Sequence, residues 1–251
     1  AGKCGMRMKK IGVLGAGTWG TALARLLCEN GHDVTIWSAL PEELKNMSTT
    51  RRHPNLPGME LPAAMHYTAD IAEACTGRDI LVFAVPSPFV RATAKKAAPH
   101  IPQGQLIVDV AKGVEDKTLF TMSEVIEDEL AKQKRTARVV ALSGPTHAEE
   151  VARDMPTLIV AASAQEDAAK AVQKAFSTPT FSDMTGPAGV LRRAARSKTS
   201  LRWPWASRWA WATATTPRPP SSPAATPSSP AWAWPWAASP RRSPGFRAWA
   251  I

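Results

Sequence analysis

Along the first 183 residues, short apolar runs alternate with segments whose apolar side chains recur three and four positions apart. The runs are 11–14, 33–37, 80–85, 106–110 and 139–142, all rich in Ile, Val and Leu. Helical spacing occupies 21–30, 88–98, 118–132, 146–153 and 165–176. Near-continuous apolar runs suit strands buried on both faces, and their alternation with helices makes a parallel sheet covered on each side. The expected fold is α/β, a doubly wound parallel sheet. Ligands of such sheets gather at the carboxyl ends of the strands, so the residues that follow each run are where chemistry is expected.

The first run is followed by Gly15-Ala16-Gly17-Thr18-Trp19-Gly20, which leads into the helical pattern Thr21-Ala22-Leu23-Ala24-Arg25-Leu26-Leu27. A glycine-rich turn between strand and helix has a specific physical use. Gly15 permits the tight turn, Gly17 lets the backbone approach phosphates, and Gly20 lets the helix pack closely on the strand. The helix start offers free N–H groups and a positive dipole end. The arrangement is Rossmann-like and points to a dinucleotide pyrophosphate.

The later strand ends carry Val85-Pro86-Ser87, Ala111-Lys112-Gly113 and Ser143-Gly144-Pro145-Thr146-His147-Ala148. Val85-Pro86-Ser87 reads first as an ordinary turn. Lys112 carries more information, because a lysine at the end of a buried strand, within reach of a bound dinucleotide, has an electrostatic task at hand. No Asp or Glu stands directly after the second run, where Ser38-Ala39 is found, to hold a ribose 2′-hydroxyl. Arg51 and Arg52, a solvated pair on the bland reading, are candidates for a 2′-phosphate.

Composition then divides the chain. All 21 Asp and Glu lie at or before Asp183, whereas ten of the 31 Lys and Arg and eight of the ten Trp lie beyond it, so the net charge of +10 belongs to 184–251. Ten prolines fall between Pro204 and Pro244, and no helical or alternating period survives among them. This stretch is expected to lack packed structure. Cys4, Cys28 and Cys75 show no metal or redox spacing, no metal site is expected, and the set suits a reducing cytoplasm. No run approaches a membrane span. Residues 1–7 read as an upstream leader, since Met6 or Met8 would be a natural start.

The turn Gly15–Leu23, together with Asn55-Leu56-Pro57-Gly58, Val85-Pro86-Ser87, Ala111-Lys112-Gly113 and Ser143-Gly144-Pro145-Thr146, resembles the bacterial NAD(P)-dependent sn-glycerol-3-phosphate dehydrogenases, in order and spacing over about 8–181. The resemblance implies a dinucleotide-binding domain over 8–183 and interconversion of dihydroxyacetone phosphate and glycerol 3-phosphate for phospholipid synthesis. NAD or NADP is the implied cofactor. The resemblance also places Gly15, Gly17, Thr18, Trp19, Gly20, Lys112 and Ala148 on the cofactor, and Lys112, Gly144 and Thr146 on the substrate. Implied partners are the small-molecule substrate and no nucleic acid or membrane, with homo-oligomerisation left open.

In that family an all-helical second half supplies the lysine that acts as general acid and base, and nothing in 184–251 matches it. Back-translated with GC-rich codons and read two bases later, the tail yields GALKDVIALAVGISVG from about Ala194, GLGYGDNTKAALITRG from Trp209 and QTFAGLSGMGDL from about Arg241. All three strings resemble the missing helical domain, in order and at one constant offset. The expectation is a frameshifted tail over 184–251 and an inactive chain, with the catalytic lysine lost and Lys198 an accident of the altered frame. Two other readings are weighed beside this one. A related hydroxyacid dehydrogenase of the same fold is opposed by Ser143-Gly144-Pro145-Thr146. A nucleic-acid binder using the Arg/Trp tail is opposed by the frame explanation of that tail.

Overall fold

In the computed structural model, residues 7–144 and 146–187 are described. They form one eight-stranded sheet with helices on both faces. In chain order the elements are β1 (Lys10–Leu14), α1 (Thr18–Glu29), β2 (Asp33–Trp37), α2 (Pro41–Thr50), β3 (His66–Thr68), α3 (Ile71–Cys75), β4 (Ile80–Phe83) and α4 (Ser87–Ala97). They continue through β5 (Gln105–Asp109), α5 (Met122–Lys132), β6 (Ala137–Ser143), α6 (Ala148–Ala152), β7 (Thr157–Ser163), α7 (Glu166–Phe176) and β8 (Phe181–Pro187). The sheet order is β3-β2-β1-β4-β5-β6-β7-β8.

The central strands explain why their sequences are mainly apolar. Successive side chains on a strand point to opposite faces. Ile80 and Val82 join the core that holds Leu23 and Leu27 of α1 and Val172 and Phe176 of α7. Leu81 and Phe83 join the other core, with Val90 and Ala94 of α4 and Val125, Ile126 and Leu130 of α5. Each face is thus a separate hydrophobic layer. On the first, α1 packs on α6 and α7; on the second, α4 packs on α3 and α5.

All five expected strands are present, and three further strands complete the sheet. β3 is a three-residue edge strand without an apolar run, and it pairs with β2 through Thr35 and His66. β7 corrects the expectation of a wholly parallel sheet, because it runs antiparallel to β6, with Leu142 opposite Ala161. The reason lies in the connection over 144–156. Its helix among the described residues, α6, has five residues and so runs only about 8 Å, too short to carry the chain back along the roughly 23 Å of a seven-residue strand, whereas an antiparallel return needs no such crossover. The next crossover, through the eleven-residue α7, is long enough, and β8 is parallel to β7. β8 reaches Pro187, four residues past the compositional break at Asp183.

Two helix starts move by three residues or more. α1 begins at Thr18 rather than Thr21, so Thr18, Trp19 and Gly20 lie in its first turn. α5 begins at Met122 rather than 118, because the Thr121 hydroxyl accepts from the Glu124 amide while the Glu124 carboxylate accepts from the Thr121 amide. That reciprocal cap fixes the start. Residues 1–6 of the leader expected over 1–7, Cys4 among them, Pro145, Lys198 and the tail beyond Pro187 lie outside the described residues.

Candidate functional site

The three glycines of the first turn meet different surroundings. Gly15 has φ +120°, and its amide donates to the Trp37 carbonyl at 2.9 Å. A Cβ there would lie 2.7 Å from the Ala84 carbonyl oxygen. A Cβ on Gly20 would lie 2.1 Å from the Gly15 carbonyl oxygen. Both positions exclude side chains because the chain itself fills the space, which seats α1 hard against the ends of β1 and β4. Gly17 is different. It is exposed, with φ −67° and ψ 179°, and a Cβ there would meet nothing within 4 Å. Among the described residues neither strain nor packing demands glycine at 17, so the open volume in front of it suits a ligand that approaches the backbone.

Gly17 is also the N-cap of α1, with no side chain to satisfy the first amides and no acidic residue in the first turn. The helix therefore presents unsatisfied N–H groups and its positive dipole end to the open side. These groups fit a dinucleotide pyrophosphate. The turn is braced from behind at the Ala16 carbonyl, which accepts the Thr21 hydroxyl at 3.0 Å and the imidazole of His53. His53 is buried, and its Nδ1 accepts from the Asn55 amide at 3.1 Å, which leaves Nε2 as the donor to Ala16. Burial holds the His53 pKa below its ordinary value, favouring this neutral tautomer.

The four parallel strands β1, β4, β5 and β6 end on one edge of the sheet. Leu14, Phe83, Asp109 and Ala141 stand level across them, so the turns that follow lie side by side. Gly15 and Lys112 thereby occupy the same edge, two strands or about 10 Å apart. Ser87 reaches the Lys112 turn: a Cβ on Gly113, whose φ is +115°, would lie 3.7 Å from Ser87 Oγ. Lys112 is exposed, and among the described residues it makes no ion pair. Its turn is held by Asp109, which the sequence pattern places only as a strand residue. Asp109 Oδ1 accepts from the Ala111 amide at 3.0 Å and Oδ2 from the Ser123 hydroxyl at 2.7 Å. Burial raises its pKa to about 6, although both hydrogen bonds oppose the rise.

At the end of β6, a Cβ on Gly144 would lie 2.9 Å from the Leu158 carbonyl oxygen, so β7 itself requires glycine there. Thr146 is buried, and its amide donates to the Gly144 carbonyl at 2.9 Å. Ala148 is buried in the first turn of α6. These residues stand on the same edge, next to the Lys112 turn.

The end of β2 holds a second group not found from sequence. Ser38 is buried, and its Oγ accepts from the Leu40 amide and donates to Glu43 Oε2, both at 3.1 Å. An acid thus reaches this strand end from the first turn of α2, five residues on. Arg51, at the left-handed C-cap of α2, donates through Nε to the Leu61 carbonyl at 3.0 Å, and the exposed Arg52 lies 4.0 Å from Glu60. Both thiols among the described residues are raised by burial, Cys75 to about 12. No helix among the described residues is long and apolar enough to cross a membrane.

Comparison with known proteins agrees with this architecture. The model of the NAD-dependent glycerol-3-phosphate dehydrogenase N-terminus matches residues 10–169. Glycerol-3-phosphate dehydrogenase [NAD(P)+] 2 of Lactobacillus delbrueckii subsp. bulgaricus is 60% identical over 171 residues, covering 67% of this chain and 51% of the relative. The glycerol-3-phosphate dehydrogenase [NAD(P)+] of Agathobacter rectalis is 45% identical over 181 residues, covering 72% and 53%. Among solved structures, a glycerol-3-phosphate dehydrogenase from Coxiella burnetii superposes with a TM-score of 0.66 at 26% identity, over 71% of this chain and 54% of that one. The chain spans about half the length of the curated relatives it matches. With its strand-end turns in the order and spacing noted from sequence, the chain belongs to the NAD-dependent glycerol-3-phosphate dehydrogenase family and carries that family's N-terminal domain.

Proposed function

We propose that the domain binds NAD(P)H across the Gly15–Gly20 turn and Lys112, and that the protein from which it derives reduces dihydroxyacetone phosphate to glycerol 3-phosphate. The observation that carries this reading is the contrast at Gly17: among the described residues, open space, no internal need for glycine, and an uncapped helix start. Gly15 and Gly20 shape the turn, and Thr18 and Trp19 lie beside the phosphates in the first turn of α1. Lys112 supplies positive charge where cofactor and substrate meet, in a turn fixed by Asp109. Gly144 and Thr146 form the substrate wall, and Ala148 faces the cofactor.

When bound, the dihydronicotinamide supplies a hydride to the substrate carbonyl carbon. The alkoxide that forms needs a proton donor, and general acids of this kind contribute about 10²- to 10⁴-fold. Lys112 stabilises negative charge on this edge, but the resemblance places the proton-donating lysine in the helical second half. We infer that residues 184–251 are that half read in another frame. The chain as written is then expected to bind cofactor weakly and to turn over undetectably. The test is NADH oxidation with dihydroxyacetone phosphate, comparing this chain with one whose coding sequence is corrected by a single base near codons 181–195. Activity only in the corrected chain supports the reading; equal rates, or none in either, overturn it.

A further inference from the structure

We propose that Glu43 selects a cofactor with a free adenosine ribose 2′-hydroxyl, so that the site takes NADH in preference to NADPH. This rests on the reading of the Gly15–Gly20 turn as the pyrophosphate site. In a doubly wound nucleotide domain the adenosine ribose lies past the phosphate turn, over the end of the neighbouring strand, where a carboxylate accepts from the ribose hydroxyls. Here that strand is β2, tied to the turn by the bond from the Gly15 amide to the Trp37 carbonyl.

Glu43 sits at this position. Its Oε2 accepts from buried Ser38, the first residue after β2, and its charge acts on His53, whose ring holds the Ala16 carbonyl of the turn. Ser38 and Glu43 are thus joined at the end of β2, and the Glu43 charge is felt at His53 beside the phosphate turn. Among the described residues, Oε1 accepts no hydrogen bond and no cation pairs with the carboxylate, which leaves one oxygen for a ribose hydroxyl and an unneutralised charge against a 2′-phosphate. Service to the helix dipole does not account for this placement, since the exposed Glu42 beside it meets that need equally. Arg51 and Arg52, the residues the sequence offers for a 2′-phosphate, are directed to the Leu61 carbonyl and to Glu60.

Fluorescence titration of NADH and NADPH on the full chain, repeated on the frame-corrected chain, tests this. NADH should bind about 10- to 100-fold more tightly, the size of one charge-assisted hydrogen bond. In E43Q the preference should shrink to about threefold or less, NADH binding persisting because the amide still accepts a hydrogen bond. The R51A/R52A double variant, a second and independent probe, should leave the preference unchanged. Equal affinities in the wild type, NADPH preferred, an unaltered preference in E43Q, or NADPH binding lost in R51A/R52A would each overturn the assignment to Glu43 while leaving the dinucleotide site intact. Binding of neither cofactor by the folded protein would overturn the site itself.

Discussion

The two turns that frame the candidate site are held in place by different physics. The Gly15–Gly20 turn is fixed by exclusion: Gly15 and Gly20 sit so close to neighbouring backbone that no Cβ fits, and the Ala16 carbonyl is braced by a hydroxyl and a neutral imidazole. The Lys112 turn is fixed by a buried carboxylate, Asp109, which takes the Ala111 amide and the Ser123 hydroxyl. A backbone turn of the first kind presents fixed amides to an anion without an ionisable group of its own. In the second, proton occupancy of one buried acid sets the cost of the folded state. The two turns should therefore respond to steric and to pH perturbation in opposite proportion.

The largest effect is expected at Gly20. G20A places a methyl 2.1 Å from the Gly15 carbonyl oxygen, inside the packed junction of β1 and α1. Relief requires backbone movement, so a loss of about 3 kcal/mol is expected. Thermal unfolding should show a midpoint lowered by about 10 °C; a midpoint within about 2 °C of the wild type would mean that the junction is looser than described.

Next comes the pH dependence of the Lys112 turn. Below the unfolded carboxylate's range Asp109 is protonated in both states. As pH rises, the unfolded chain ionises first, while the folded one holds its proton up to about pH 6. The unfolded state therefore binds fewer protons over this window, and stability falls by up to ~1.4 kcal/mol per pH unit between about pH 4 and 6 before levelling off. D109N should remove that slope, and denaturant titrations of both proteins from pH 4 to 7 measure it. Parallel curves would show that Asp109 does not titrate as its burial implies.

His53 gives the smaller effect, with the opposite sign. Its folded pKa is depressed by burial, so its contribution is complete above the ordinary histidine range near 6.5 and is lost as pH falls through the folded value. H53Q keeps a donor for Ala16 and an acceptor for Asn55, and should lose less stability than the wild type on acidification. His32, also depressed by burial, remains in both proteins and cancels in the comparison. An unchanged acid limb in H53Q would remove His53 from the bracing of the turn.

What the sequence made legible follows from range. The strands 11–14, 80–83 and 106–108 announce themselves because burial on both faces favours apolar residues, and the Gly15–Gly20 turn because its glycines answer local geometry. β3 was hidden because an edge strand of three residues needs no apolar run. β7 was hidden because Thr157-Leu158-Ile159-Val160-Ala161-Ala162-Ser163 lies between two helical segments and its direction depends on a crossover length. Lys112, Gly144 and Thr146 were legible as strand-end residues, but the reason for Gly144 is β7, the neighbouring strand, which follows it in the chain. Glu43, His53 and Asp109 were not legible as site residues. Glu43 reaches the end of β2 only through the geometry of the α2 start, His53 meets Ala16 across 37 residues, and Asp109 looks like one more strand position until Ser123 is placed beside it.

Calorimetric titration of NADH into G17V beside the wild type tests the central claim most directly. At Gly17 the backbone is ordinary for any residue and a side chain meets only open space, so the fold should tolerate valine, with a melting midpoint within a few degrees of the wild type. The account predicts that heat of binding, present in the wild type, vanishes in G17V because the side chain fills the volume the pyrophosphate needs. Unchanged NADH affinity in a folded G17V protein would contradict it.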